Sequence, residues 1–213
     1  MSYPINLNLK DKKCLVVGGG SVAERKVSGL LVAGGEVTVI SPEITENLKI
    51  LANEKKIIWI QDAYKSGMAK GYFLLIAATN SEEANILAIN EAKSFGALVN
   101  APANPALSDF SVPAVMRRGD LSVAVTTEGI SPALSRIIKE EIGEFVPKNI
   151  DKWLEFLKDI RKDMKEKLKT SKDRENFWRK ALNNRIFTLL KEGRLKEAEV
   201  ELRDGVSCDW AKP

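Results

Sequence analysis

Apolar positions alternate between two rhythms through residue 100 and settle into one after residue 147. Lys13–Val17 is a short, almost continuous apolar run that predicts a buried strand. Ala23, Val27, Leu30, Leu31 and Gly34 then recur at the spacing of a helix packed on a sheet, and Gly34-Gly35 predicts its end. Glu36–Ile40 is β-branched and reads as a second strand. A helix over 45–54 and a strand over 57–60 follow. Gly71–Ala78 is unbroken apolar sequence, as expected of a central parallel strand covered on both faces. Ser81 is placed to cap a helix running to Phe95, with Glu82 and Glu83 in its first turn, and 97–100 gives one more strand. Before all of these, Ile5, Leu7 and Leu9 alternate in a short extended lead-in. Strands alternating with helices at this spacing predict an α/β fold with a doubly wound, Rossmann-type parallel sheet.

The rhythm changes after Asn100. Residues 101–105 form a proline-rich loop, 110–112 an extended stretch, 116–120 a turn and 121–126 an alternating strand. Ser131-Pro132 combines an N-cap with proline at the first helical position and predicts a helix to about Ile142. Beyond Pro147 everything reads as helical. Trp153, Phe156, Leu157, Ile160, Met164 and Leu168 make one stripe; Phe177, Ala181, Leu182, Arg185, Ile186, Leu189 and Leu190 make a second. The expected division is 1–111 for the sheet domain, 112–146 for a small α+β segment and 147–213 for a helical domain.

Composition changes this picture by exclusion. The chain has 213 residues, 44% hydrophobic and 29% charged, the balance of a folded globular protein. No apolar run approaches the ~18 residues of a membrane span, and the first residues lack a signal peptide's basic start and apolar core. Cys14 and Cys208 make no disulfide framework, so a cytoplasmic location is expected. There is no histidine, which removes the commonest general base and transition-metal ligand, and no dedicated metal site is expected. Residues 147–213 hold 18 Lys/Arg against 13 Asp/Glu, a balance of +5 that leaves about −1 for the rest. That points either to an anionic partner or simply to a well-solvated helical surface. Nucleic acid is disfavoured, because no aromatic-basic platform accompanies the charge.

The chemistry concentrates between the first strand and helix. Gly18, Gly20 and Ala23 fit G-x-G-x-x-G/A in strand–turn–helix context. Gly18 suits the tight turn, Gly20 lets backbone approach a pyrophosphate, and Ala23 lets the helix pack closely; an ordinary glycine turn is the alternative. The ribose acid expected near the end of the second strand falls late, in Ser41-Pro42-Glu43. With no Arg or Lys there for a 2′-phosphate, NAD is preferred over NADP. Ligands bind at the carboxyl ends of strands in such sheets, so 78–80, 100–105 and 126–131 are candidate site loops.

Four strings, Gly18–Lys26 (GGGSVAERK), Ala77–Asn80 (AATN), Asp109–Ala114 (DFSVPA) and Gly129–Ser135 (GISPALS), together resemble precorrin-2 dehydrogenase, the module that begins bacterial siroheme synthase. The resemblance covers nearly the whole chain. It implies oxidation of precorrin-2 to sirohydrochlorin with NAD as hydride acceptor and, in some members, iron insertion. It also implies a homodimer formed through the 112–146 segment, with the macrocycle bound between the nucleotide and helical parts. Carried over by position, Ser21, Val22, Pro42 and Glu43 would touch NAD, with Thr79 and Asn80 near it; apart from the resemblance, Ser41 occupies the ribose acid's usual place and the Ser131-Pro132 helix start is a candidate for binding a carboxylate or phosphate of the substrate. One departure stands out. The family usually has an aspartate, credited with base and metal-insertion roles, where this chain has Ala103, followed by Asn104 and Pro105. The nearest remaining carboxylate is Asp109, expected to assist proton removal, and Thr127 stands where the family often has a serine facing the ligand. The departure weakens iron insertion more than dehydrogenation, and leaves a non-catalytic NAD-sensing module as the alternative function.

Overall fold

The computed structural model describes residues 2–208, with side chains through residue 204. Two compact units divide them, residues 2–112 and residues 113 onward.

In the first unit, β1 (Lys13–Val17), β2 (Glu36–Ile40), β3 (Ile57–Ile60), β4 (Leu74–Ala77) and β5 (Leu98–Asn100) form one parallel sheet in the order β3-β2-β1-β4-β5. The chain winds outward from β1 through β2 to β3, then returns to place β4 on the other side of β1. That reversal is a topological switch point, with Val17 paired to Ala77 at its mouth. Helices α1 (Ser21–Val32) and α2 (Glu46–Asn53) cover one face, where Ala23, Val27 and Leu48 bury against Val16, Val39 and Ile76. Helix α3 (Glu82–Ser94) covers the other, where Ala88, Ile89 and Ala92 meet Leu15, Leu75 and Val99. Burial on both faces explains the continuous apolar strands, each large side chain contributing about 1.5–3 kcal/mol. The Rossmann-type sheet is therefore as expected.

Local departures have local causes. The apolar run at Gly71–Ala78 yields a strand only from Leu74, because Gly71 turns with φ +85°. Ile5 and Leu7 are exposed and pair with nothing in the sheet, so their alternation marks no strand; only Leu9 is buried. Burial pushes the Cys14 thiol up to about 11, making it an unreactive core group; the Cys208 side chain lies outside those described.

In the second unit, β6 (Ala114–Arg118) and β7 (Leu121–Val125) form an antiparallel hairpin, followed by α4 (Pro132–Phe145), α5 (Ile150–Lys167), α6 (Ser171–Ala181), α7 (Asn184–Lys191) and α8 (Leu195–Cys208). Met116, Arg117 and Arg118, expected in a turn, belong to β6. The turn is only Gly119-Asp120, with Gly119 at φ +57° in the position a two-residue hairpin reserves for glycine. Arg118 then reaches the end of α4, donating to the carbonyls of Gly143 (3.1 Å), Val146 (2.5 Å) and Pro147 (3.0 Å). That satisfies acceptors the helix end leaves open and carries α4 three residues past the expected end. The second apolar stripe is split where Asn183 caps α7 through the Ile186 N–H, which leaves Leu182 and Arg185 exposed. Trp153, Ile160, Met164, Phe177, Ile186 and Leu202 centre the helical core. Among the described residues no helix is long and apolar enough to cross a membrane.

Candidate functional site

The glycine turn sits at the carboxyl end of β1, at the switch point. Gly18 has φ +118°, and a Cβ there would lie 2.3 Å from the Ala78 carbonyl oxygen; one at Gly19 would lie 2.1 Å from the Glu43 carbonyl oxygen. Both glycines are demanded by the protein itself. The Gly18 N–H donates to Ile40 O at 2.9 Å and the Thr45 N–H to Gly19 O at 3.0 Å, tying the turn to the ends of β2 and α2. Gly20 differs. A Cβ there would meet nothing within 4 Å, and its φ of −82° suits any residue. Nothing in the protein requires glycine at 20, so the open space beside it is a cradle that a side chain would fill. Gly20 also caps α1 without a side-chain hydrogen bond, leaving first-turn N–H groups of a 12-residue helix free beside that cradle. A pyrophosphate fits this arrangement. Ser21 and Val22 are exposed on the same first turn.

The acid of that first turn is directed elsewhere. Glu24 accepts from the Thr45 hydroxyl (2.5 Å) and from Asn47 Nδ2 (2.9 Å), and these bonds hold its carboxyl below the usual range. At the end of β2, Ser41 is buried, its hydroxyl donating to Glu43 O at 2.6 Å and its carbonyl accepting from Trp59 Nε1 at 2.9 Å. Ser41 therefore shapes the bend, while Pro42 and Glu43 are the exposed groups.

On the other side of the switch point, a cleft of about 460 Å³ opens at the ends of β4 and β5. Thr79, Asn80, Glu82 and Asn85 line one wall, and Ala101, Ala103, Asn104 and Leu107 the other. Asn85 had no place in the sequence reading. Its Oδ1 accepts from the Thr79 N–H (3.2 Å) and its Nδ2 donates to Thr79 O (2.8 Å), fixing the loop after β4.

Asp109 belongs to the frame of this region. Its Oδ2 accepts from the Val99 N–H (2.9 Å), its own N–H donates to Val99 O (2.8 Å), and Lys93 Nζ lies 3.3 Å from Oδ1. The residue thus completes the open edge of β5. Nearby, Asn100 Nδ2 donates to Phe110 O (2.9 Å) and the Ser108 hydroxyl accepts from the Ala101 N–H (2.8 Å), closing the loop at its base. Ala103 and Asn104 lie exposed toward its tip.

Gly18, Gly20, Ser21, Val22, Thr79 and Asn80 therefore gather around the switch point within the first unit. Thr127 and Ser131 belong to the second unit, where they pair with each other. Thr127 Oγ1 accepts from the Ser131 N–H (2.9 Å) and sits 3.1 Å from the buried Ser135 hydroxyl, while Ser131 Oγ caps α4 through the Leu134 N–H (3.2 Å).

Three family models match in sequence order: "Putative NAD(P)-binding" over residues 5–114, "Sirohaem biosynthesis protein central" over 118–144 and "Sirohaem synthase dimerisation region" over 149–205. The chain belongs to the NAD(P)-binding family of the first model, which spans half of it, and its later segments match the sirohaem central and dimerisation regions. It is 34% identical over 200 residues to a siroheme synthase of Neisseria meningitidis serogroup C, covering 94% of this chain and 42% of that one. With a siroheme synthase of Nitrosococcus oceani the identity is 36% over 200 residues, 93% of this chain and 43% of the relative. The chain thus spans less than half the length of these relatives. A solved structure of SirC, a precorrin-2 dehydrogenase, shares the fold with a TM-score of 0.76 at 24% identity, covering 96% of this chain and 99% of that one.

Proposed function

We propose that this chain oxidises precorrin-2 to sirohydrochlorin with NAD as hydride acceptor. The observation that carries this is the open space at Gly20, beside free helix N–H groups at the switch point whose other side bears a polar-walled cleft. The siroheme synthase relatives and the shared fold of a precorrin-2 dehydrogenase support the same reading.

Gly18, Gly20, Ser21 and Val22 would hold the pyrophosphate, Pro42 and Glu43 the adenosine ribose, and Thr79 and Asn80 the nicotinamide side. When bound, NAD supplies a two-electron hydride acceptor. The chain's own contribution is orientation: α1 anchors one end of the dinucleotide, and the loops after β4 and β5 present amide groups at Asn80 and Asn104 to the other. The three-part organisation follows from the same reading, with 1–111 binding the cofactor and 112–146 and 147–213 building a homodimer. The basic surface of 147–213 suits a substrate rich in carboxylates.

The test is anaerobic incubation of the pure chain with precorrin-2 and NAD. Appearance of NADH together with the sirohydrochlorin spectrum is expected. Tight NADH binding with no conversion would instead favour a sensing module, which the alanine at 103 makes a specific second reading. Ferrous ion added after conversion tests iron insertion as a separate step.

A further inference from the structure

A dehydrogenation removes a hydride and a proton; the dinucleotide takes the hydride, and no side chain so far placed on the nicotinamide side takes the proton. From the geometry we infer that Glu82 is the proton acceptor of the reaction; this rests on the proposed function above. Glu82 is the first residue of α3 and lines the cleft at the ends of β4 and β5. Among the residues lining that cleft it alone is ionisable. The opposite wall offers Ala101, Ala103, Asn104 and Leu107, and the loop after β4 offers Thr79 and Asn80, none of which titrates near neutrality. On its own helix the neighbouring carboxylate is Glu83, which does not line the cleft.

Three other carboxylates of the unit are engaged in holding its loops. Glu24 is held by Thr45 and Asn47, Glu91 by Tyr64, Ser66 and two backbone N–H groups, and Asp109 by the Val99 N–H with Lys93 beside it. The Glu82 side chain makes no hydrogen bond or ion pair with any described residue. It stands at the start of a 13-residue helix, with its carboxylate in the first turn. An acid in a first turn is also a common stabilising feature of helices, and the cleft-facing position is what separates Glu82 from Glu83.

The step balances as follows. One substrate C–H bond breaks, its electron pair leaving with the hydride to oxidised nicotinamide dinucleotide. A second C–H bond of the same tetrapyrrole breaks toward Glu82, and that electron pair becomes the new double bond. The tetrapyrrole is oxidised by two electrons, the dinucleotide is reduced by two, and protonated Glu82 then releases its proton to water.

The experiment compares the wild-type chain, Glu82→Gln and the control Glu83→Gln. Turnover of Glu82→Gln should fall about 100-fold or more, the range of a lost general base, with its acid limb in kcat/KM gone and NADH affinity within twofold. Glu83→Gln should keep turnover and pH profile. A second measurement omits the cofactor: precorrin-2 held on the protein in D2O should exchange a carbon-bound hydrogen with the wild type and not with Glu82→Gln. Glu82→Gln that keeps both the acid limb and the exchange overturns the assignment while leaving the proposed function intact. A wild-type chain that binds NADH yet neither oxidises precorrin-2 nor exchanges its hydrogens overturns the proposed function, and Glu82's role with it.

Discussion

The two loops that flank the carboxyl end of this sheet are held by opposite means. In the glycine turn, backbone crowds backbone: Gly18 against Ala78 and Gly19 against Glu43, at distances no Cβ could share. In the loop after β5, side chains hold the frame, with Asp109, Asn100 and Ser108 each bonding to main chain across its base. The first arrangement has no tolerance at its crowded positions and leaves one open position, Gly20. The second tolerates change wherever a side chain does not bond, and Ala103 and Asn104 are such positions. A functional carboxylate at 103 can therefore be missing without loss of the fold, while the glycine turn cannot drift in the same way.

The sharpest way to break this contrast is to add one methyl group at each glycine. Gly19→Ala and Gly18→Ala should each cost about 3 kcal/mol or more, since overpacking against backbone is joined at Gly18 by a left-handed φ. Against a typical total of about 5–15 kcal/mol, either change removes a large share of the stability and lowers the urea midpoint accordingly. Gly20→Ala should leave the urea midpoint nearly unmoved and weaken NADH binding by about tenfold or more, because the methyl occupies the cradle. Denaturation curves and fluorescence titration with NADH separate the two effects. A Gly20→Ala variant that unfolds, or that binds NADH as well as the wild type, would remove the distinction.

That distinction also marks how far the amino-acid pattern reaches. The glycine turn was legible because its constraints are local and few residues satisfy them, and the parallel sheet because burial on both faces forces continuous apolar strands. Asp109 was legible as a carboxylate near the site but not as an edge-strand partner, since its bonds to Val99 depend on how the nine intervening residues fold back. Asn85 and Glu82 were hidden in an ordinary helix start, because only the folded cleft shows which first-turn residues face it. The turn at 116–120 was misplaced for a different reason. Arg117 and Arg118 look like turn residues until the hairpin register puts them in β6 and gives Arg118 the end of α4 to bond.

Asp109 tests the side-chain-held loop. Asp109→Ala strands the Val99 N–H in a partly buried setting and should cost about 1–2 kcal/mol. Asp109→Asn keeps an acceptor for that N–H and loses only the contact with Lys93, a half-exposed pair worth well under about 1 kcal/mol. Thermal denaturation orders the two variants. If the carboxylate serves the frame, Asp109→Asn also turns over precorrin-2 at close to the wild-type rate at every pH; a large loss of turnover in a stably folded Asp109→Asn would return this residue to the chemistry.

The smallest effect comes from the opposite end of the sheet, where a carboxylate holds a loop by the same device but no ligand is expected. Glu91 on α3 accepts from the Tyr64 and Ser66 hydroxyls and from the N–H groups of Gly67 and Ala69 in the segment leading to β4. Partial burial opposes its charge, but these bonds outweigh that and hold its carboxyl below the ordinary range. A lowered folded-state pKa means the stabilisation is complete above the unfolded value of about 4.3 and is lost as pH falls through the folded one. Burial and the Glu91 bond push Tyr64 the other way, so its contribution is present below about pH 10 and fades above it. The wild-type urea midpoint should therefore fall from about pH 5 downward more steeply than that of Glu91→Gln, whose amide cannot titrate. NADH affinity at neutral pH should be the same in both. An equal acid slope would show that the loop is held by its packing, and a change in NADH affinity would show that the two ends of the sheet are coupled after all.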